Sequence, residues 1–475
     1  MDPLTEQTRY LHGVPAPRLQ RPLAVLQPVL ARAGEPTVDI ARLERALQGI
    51  ARVEPVIAIE SPAHWETVIA GLDERVDGIL PMSVAAYPTE VWNSHPQPLV
   101  ERGLPVLFWS LLEYDEPDFW RWSASDMLRS LGVAVTIVPN QWAGEAQVKA
   151  LAMKRFLRQG RMVVFGEQNF PWNAYAAGGH VTQSLGTQIA VRPIADIRAR
   201  YPRYSAEQIH DLIETRLLPS RYERTTVRQA ELEQALRSYL AIRDILEEEG
   251  AFGFGLNCFG DLIIQGGRDV PCLAQMLLRE DGYIASCDGD FLAMMSMAFT
   301  SYYLDLPCMM SNMYPVSYVG ALTGHFGDPL TPEGHYMTER VENMARLGHC
   351  AFVGVVPPEM TPHGRVALQD WGGTYEIKRD GRGCGIDGDL IGRRPVTVVE
   401  LCFDAKRLLI ARARTVETTH HAGMPHCETT ALLEFRDLKG FVKHISREHT
   451  VVSYGDHVAE YEILARELGL ESMVF

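Results

Sequence analysis

The feature that most constrains this chain is a change of rhythm near residue 345. Before it, short apolar runs of strand length alternate with stretches of helical spacing; after it, strand-length runs succeed one another with only turns between them. Residues 56–59, 78–81, 106–109 and 135–138 read as buried strands, apolar but for Thr136, as strands covered on both faces are. Residues 64–73 and 123–131 carry apolar side chains at helical spacing, and a longer helix over 143–158 leads through Gly160 into a strand at 162–165. This alternation marks parallel α/β units.

The middle of the chain repeats the pattern. Helices are expected at 205–218, 227–249, 272–278 and 291–303, and strands at 283–287 and 307–311. Gly250 stops the second helix. Later strands at 350–356, 365–368, 396–401, 408–415, 430–434 and 450–454 are separated by turns such as Asp387-Gly388-Asp389, with a closing helix at 458–468. That arrangement suits an antiparallel barrel or sandwich. The expected fold class is therefore α/β: two Rossmann-like domains, 1–160 and 161–345, followed by a C-terminal antiparallel β-barrel-like domain, 346–475.

Composition narrows the function classes. The 475 residues hold 45 Lys+Arg against 60 Asp+Glu, a formal net charge of -15, and no run of cations appears. Phosphate recognition needs a concentrated Lys/Arg footprint, so nucleic acid is not the expected partner; a small molecule is. No window reaches 18 consecutive apolar residues, and the first residues lack a basic and apolar leader, so a cytoplasmic protein without a membrane partner is expected. The eight cysteines contain no C-x-x-C pair, which removes zinc-ribbon and thioredoxin-like readings. Phe252-Gly253-Phe254-Gly255 and Gly266-Gly267 match neither a Walker loop nor a dinucleotide fingerprint, and no G-x-S-x-G or H-E-x-x-H is present.

The chemistry-bearing residues are distributed. Asp288 and Asp290 stand in Ser286-Cys287-Asp288-Gly289-Asp290 at the end of the 283–287 strand, and Asn312 follows the next strand. Ligands of open α/β sheets bind outside the carboxyl ends of strands, so these side chains can converge. Each also has a plain structural reading: Asp288 or Asp290 as a helix N-cap, Asn312 as a turn residue. Ten of fifteen histidines lie beyond residue 320; His349 and His449 each open an apolar run, where a structural histidine is the ordinary alternative. Imidazole beside carboxylate or amide oxygen is the donor mix that suits divalent manganese or a related metal.

Several stretches resemble the L-fucose and L-arabinose isomerase superfamily. They are Pro271-Cys272-Leu273-Ala274 through Asp290, Gly348-His349-Cys350, Arg394-Pro395-Val396-Thr397-Val398 and Arg447-Glu448-His449-Thr450-Val451-Val452-Ser453, with Asp77-Gly78-Ile79-Leu80 and Ser123-Ala124-Ser125-Asp126 in the first domain. The resemblance implies an intramolecular oxidoreductase of carbohydrate metabolism that interconverts an aldose and a ketose, a pentose, 6-deoxyhexose or related sugar, through a cis-enediol. It implies a homo-oligomer holding Mn2+ or another divalent metal, with Asp288, Asn312, His349 and His449 as ligands and Asp288 and Asp290 as candidate proton-transfer groups. Two departures stand out. Asn312 occupies the place of a family carboxylate, and an amide cannot take a proton; Asp288 is a methylene shorter than the Glu it replaces. These leave open a carbohydrate-binding or regulatory protein without turnover, or an epimerase-type enzyme on a sugar derivative.

Overall fold

The computed structural model describes residues 22–30, 40–82, 95–109, 122–166, 177–217, 221–258, 269–315, 341–348, 356–362, 364–370, 383–420 and 429–475. Two compact units divide the chain, one spanning Arg21–Phe156 and the other Leu157–Phe475.

In the first unit six parallel strands form one sheet: β1 (Ala24–Leu30), β2 (Ala51–Val53), β3 (Ile57–Ala58), β4 (Gly78–Pro81), β5 (Val106–Trp109) and β6 (Val135–Val138), in the order β2-β1-β4-β5-β6 with β3 also on β1. The two short strands share one side of β1. β2 pairs with Ala24 to Leu26 and β3 with Val29 and Leu30, so Pro28, which has no N–H to give, falls near the gap between them. The Gln27 amide closes that gap by donating to the Pro55 carbonyl at 2.8 Å. Both faces of the sheet are covered: Phe108 packs with Trp65, Ile69 and Leu128, while its neighbour Leu107 packs with Leu43, Leu47 and Leu151. The Pro62–Gly71 helix begins where the Ser61 side chain accepts the His64 N–H, satisfying one of the N-terminal amides that lack a helical partner.

The second unit contains a four-stranded parallel sheet, a small three-stranded sheet and a barrel. β7 (Arg161–Phe165), β8 (Gln188–Arg192), β10 (Gly253–Leu256) and β11 (Ile284–Ser286) pair in the order β11-β10-β7-β8. β9 (Tyr222–Arg224) instead joins β14 (Val366–Asp370) and β15 (Cys384–Asp387). β12 (Met309–Pro315), β13 (Met344–Gly348), β16 (Pro395–Leu401), β17 (Arg407–His420), β18 (Thr429–Phe435) and β19 (His449–Tyr454) close on themselves as a six-stranded antiparallel barrel, because β17 pairs with both β18 and β16. β20 (Glu471–Val474) adds to β17 in parallel. Parallel α/β sheets followed by a closed antiparallel barrel is the fold class read from the sequence.

Three local readings change. The barrel recruits β12, so Asn312 lies inside an antiparallel strand rather than after a strand of the parallel sheet. The helices expected to run to 218 and 303 turn into π-helical segments, Ile213–Leu217 and Phe299–Leu304. The glycine-rich 252–255 piece runs into β10 (Gly253–Leu256) and forms no loop. A Cβ at Gly253 would stand 2.6 Å from the Ile284 carbonyl oxygen, a backbone atom held by strand pairing. Gly253→Ala is therefore expected to cost about 1–3 kcal/mol, read as a lowered thermal midpoint; an unchanged midpoint would contradict this account of the glycine.

The strand expected at 350–356 lies, apart from Val356, outside the described residues. Among the described residues no helix is long and apolar enough to cross a membrane.

Candidate metal and proton-transfer site

At the end of β11 the chain must turn at once into the Phe291–Ala298 helix. Asp288 and Gly289 make that turn with φ of 53° and 67°. Left-handed backbone is unfavourable for a residue with a Cβ, and it recurs at functional sites. Gly255 on the neighbouring strand allows the close approach, since a Cβ there would lie 3.0 Å from the Gly289 Cα. Asp290 then caps the helix: its Oδ1 accepts the Ala293 N–H at 2.9 Å. The N-cap reading of Asp290 is thus correct.

The other oxygen of Asp290 has two partners from β19 and its approach. His449 Nδ1 lies 2.9 Å and Arg447 Nε 3.0 Å from Oδ2. Arg447 and His449 are two residues apart, and both are buried. Burial alone would raise the Asp290 pKa; the Arg447 charge and the His449 hydrogen bond overcome it and lower the pKa below the usual carboxylate value. Arg447 is held in turn by the Leu401 carbonyl. Next to Leu401, the buried Glu400 carboxylate accepts the Ser446 N–H and hydroxyl, each at 2.7 Å.

With Nδ1 turned to Asp290, the imidazole presents Nε2 to Asp288, whose Oδ2 is 3.5 Å away. Asp288 is the more exposed of the two aspartates, and its Oδ1 receives the Cys258 thiol at 3.7 Å. Burial opposes charge on His449, but hydrogen bonds to Asp288 and Asp290 prevail and raise its pKa to about 10. Asn312 joins from β12. It stands directly opposite His449 in the antiparallel register, so the two side chains share a face of the sheet. Its Nδ2 donates to the Tyr314 hydroxyl at 2.9 Å, which fixes the amide, while Oδ1 is buried without a hydrogen-bond partner among the described residues. A buried acceptor left unpaired is costly and marks a place for an ion or water.

Asp288, Asp290 and His449 are therefore brought together, with Asn312 beside His449. His349, one residue beyond the end of β13, lies outside the described residues. Among the described residues no three His, Cys, Asp or Glu side chains gather as a metal site; the donors on hand are the Asp288 carboxylate, His449 Nε2 and the Asn312 amide oxygen. Arg447, Cys258 and Tyr314 were not singled out from the sequence. Arg447 has one available signal in the sequence, its i−2 spacing from His449, which in extended chain leading into a strand places both side chains on one side.

A family model of the L-arabinose isomerase central domain matches residues 174–302, a stretch that contains Asp288 and Asp290. This supports a sugar isomerase-like relationship for the central part of the chain. No curated protein matches. Among solved structures, an ABC transporter substrate-binding protein from Desulfitobacterium hafniense in complex with Leu aligns at 12% identity over 65% of this chain and 78% of that one, with a TM-score of 0.17.

Proposed function

We propose that the chain is a divalent-metal-dependent aldose–ketose isomerase related to the L-fucose and L-arabinose enzymes, acting on a pentose or 6-deoxyhexose. The observation that carries this is the fixed imidazole of His449. Its Nδ1 is anchored on Asp290, its Nε2 faces Asp288, and the unpaired Asn312 oxygen stands on the same face. Metal-binding histidines ordinarily give their second nitrogen to a carboxylate in this way. Asp288, Asn312 and His449 supply oxygen and nitrogen donors that suit Mn2+ or a similar ion, with His349 as a fourth by resemblance. A bound cation would polarise the carbonyl and hydroxyl oxygens of the open-chain sugar.

The chain's own residues divide the remaining work. Asp288 is the carboxylate that takes a proton from C2 and returns it to C1. Asp290, with both oxygens engaged, supports His449 instead of moving protons. Asn312 binds without exchanging a proton. A single accessible carboxylate among the described site residues also favours a second reading, a sugar-binding protein without turnover.

One experiment separates the two readings. The Mn2+-loaded protein is incubated with L-arabinose and other pentoses and 6-deoxyhexoses in D2O and followed by NMR. Deuterium in the sugar together with ketose is the expected result; saturable sugar binding with no exchange would replace the isomerase by the binding protein.

A further inference from the structure

At the end of β11 opposite to Asp288, the C-terminal end of the Cys272–Glu280 helix holds a second concentration of buried charge. Arg216, on the π-helical segment and 1% exposed, donates to the Leu277 carbonyl at 2.9 Å and to Asp281 Oδ1 at 2.7 Å. It also bonds to the Tyr239 hydroxyl, which donates to Asp281 Oδ2 at 2.6 Å and receives Arg243 at 3.0 Å. Asp281 is thereby matched by donors. Glu280, equally buried, is not. Among the described residues its Oε1 accepts only the Tyr222 hydroxyl, at 2.7 Å, and its Oε2 has no hydrogen-bond partner and lies 3.5 Å from an Arg216 nitrogen already committed elsewhere.

Tyr222 belongs to β9, and β9 belongs to the small three-stranded sheet with β14 and β15. The neighbouring Arg221 bonds to Glu359, which stands on the short helical turn Pro358–Met360 ahead of β14. Glu280 is thus faced by Arg216 from the π-helical segment, Tyr222 from β9, Glu359 from the turn before β14, its charge paired with Arg221, and Asp281 next to it at the end of its own helix, with Tyr239 and Arg243 behind Asp281. The hydrogen bond that the Tyr222 hydroxyl of the small sheet donates to Glu280 ends on a carboxyl group with two further carboxylates, Glu359 and Asp281, acting on it.

We propose that Glu280 is a proton-operated latch: protonated, it holds the β9–β14–β15 sheet against the Cys272–Glu280 helix, and ionised, it loosens that sheet. A buried carboxyl with one unpaired oxygen is tolerated when neutral and penalised when charged. Burial, opposed by Arg216 and Tyr222 and reinforced by Glu359 and Asp281, raises the Glu280 pKa to about 7. The docked state therefore holds the proton more tightly than the undocked one. Docking is firmest below the ordinary carboxyl value of 4.5 and weakens as pH rises toward and through 7.

Hydrogen–deuterium exchange of the full chain tests this, with rates corrected for the intrinsic effect of pH. In the wild type the opening constant of the 221–225 and 366–370 amides should rise by about 20-fold between pH 5.5 and 7.5, while barrel strands β16 and β19 change far less. Glu280→Gln, which mimics the protonated group, should remove that rise. Tyr222→Phe keeps the ring but deletes the donor that favours the charged form, so its loosening should continue to higher pH than in the wild type. A pH response absent from the wild type, an equal response in Glu280→Gln, or an unmoved range in Tyr222→Phe would overturn the latch. None of these readouts involves metal or sugar, so they stand apart from the isomerase reading.

Discussion

Replacing His449 by alanine is expected to abolish stoichiometric Mn2+ binding. The imidazole is the one nitrogen donor among the described candidate ligands, and its removal leaves only the Asp288 carboxylate and the Asn312 amide oxygen. Changing a residue that merely supports a metal ligand commonly costs about 10–100-fold in affinity; losing the ligand should cost more. Asp290 keeps its helix-capping bond and its Arg447 partner in the variant, so the fold should persist. Elemental analysis after loading and dialysis, with thermal unfolding as a control, reads the result. The raised His449 pKa of about 10 adds a second signature. At neutral pH a cation binding through Nε2 must displace a proton, so metal uptake by the wild type should release about one proton per site and tighten as pH rises. Unchanged metal content in His449→Ala would remove His449 from the ligand set.

Legibility in the sequence followed burial. β4 and β5 are legible to the residue because strands covered on both faces are uninterrupted apolar runs; the edge strand β6, half-buried and carrying Thr136, is legible from its β-branched residues. β1 was missed, although it is the strand that pairs with β2, β3 and β4. Gln27 and Pro28 interrupt its apolar run, and both are explained only by the gap between β2 and β3. β10 carries no strand signal in the sequence because its glycines answer to neighbours on other segments, the Ile284 carbonyl and Gly289.

The site shows the same division between local and non-local information. Asp290 as an N-cap was visible locally, since a carboxylate before an apolar helix is an ordinary capping pattern. Its contact with His449, 159 residues away, depends on how the barrel sits against the helix Phe291–Ala298. The pairing of Asn312 with His449 depends on the β12–β19 register. No spacing within the chain encodes either one. What the sequence did supply was chemical type: an amide where a carboxylate was expected, and a histidine at the start of a strand.

Arg216→Met is expected to be the most destabilising of the substitutions considered, by about 3–5 kcal/mol, the range for removing one partner of a buried ion pair. The guanidinium is fixed by Leu277 and Asp281 and lies 4.9 Å from the Tyr239 ring centroid. Methionine can fill much of its volume, so the loss should come chiefly from stranding Asp281, already buried, with only the Tyr239 hydroxyl to satisfy it. Urea unfolding gives the magnitude, and a double-mutant cycle gives its origin. Asp281→Asn in the Arg216→Met background should restore part of the loss, with a coupling of about 0.5–3 kcal/mol. Additive effects would assign the cost to packing instead. The Arg75–Asp73 pair provides the contrast: its 2.6 Å contact is shorter than the 2.7 Å of Arg216–Asp281, yet it is solvent-exposed. Arg75→Met should leave the unfolding midpoint where it is, because water replaces at Asp73 what the protein cannot replace at Asp281.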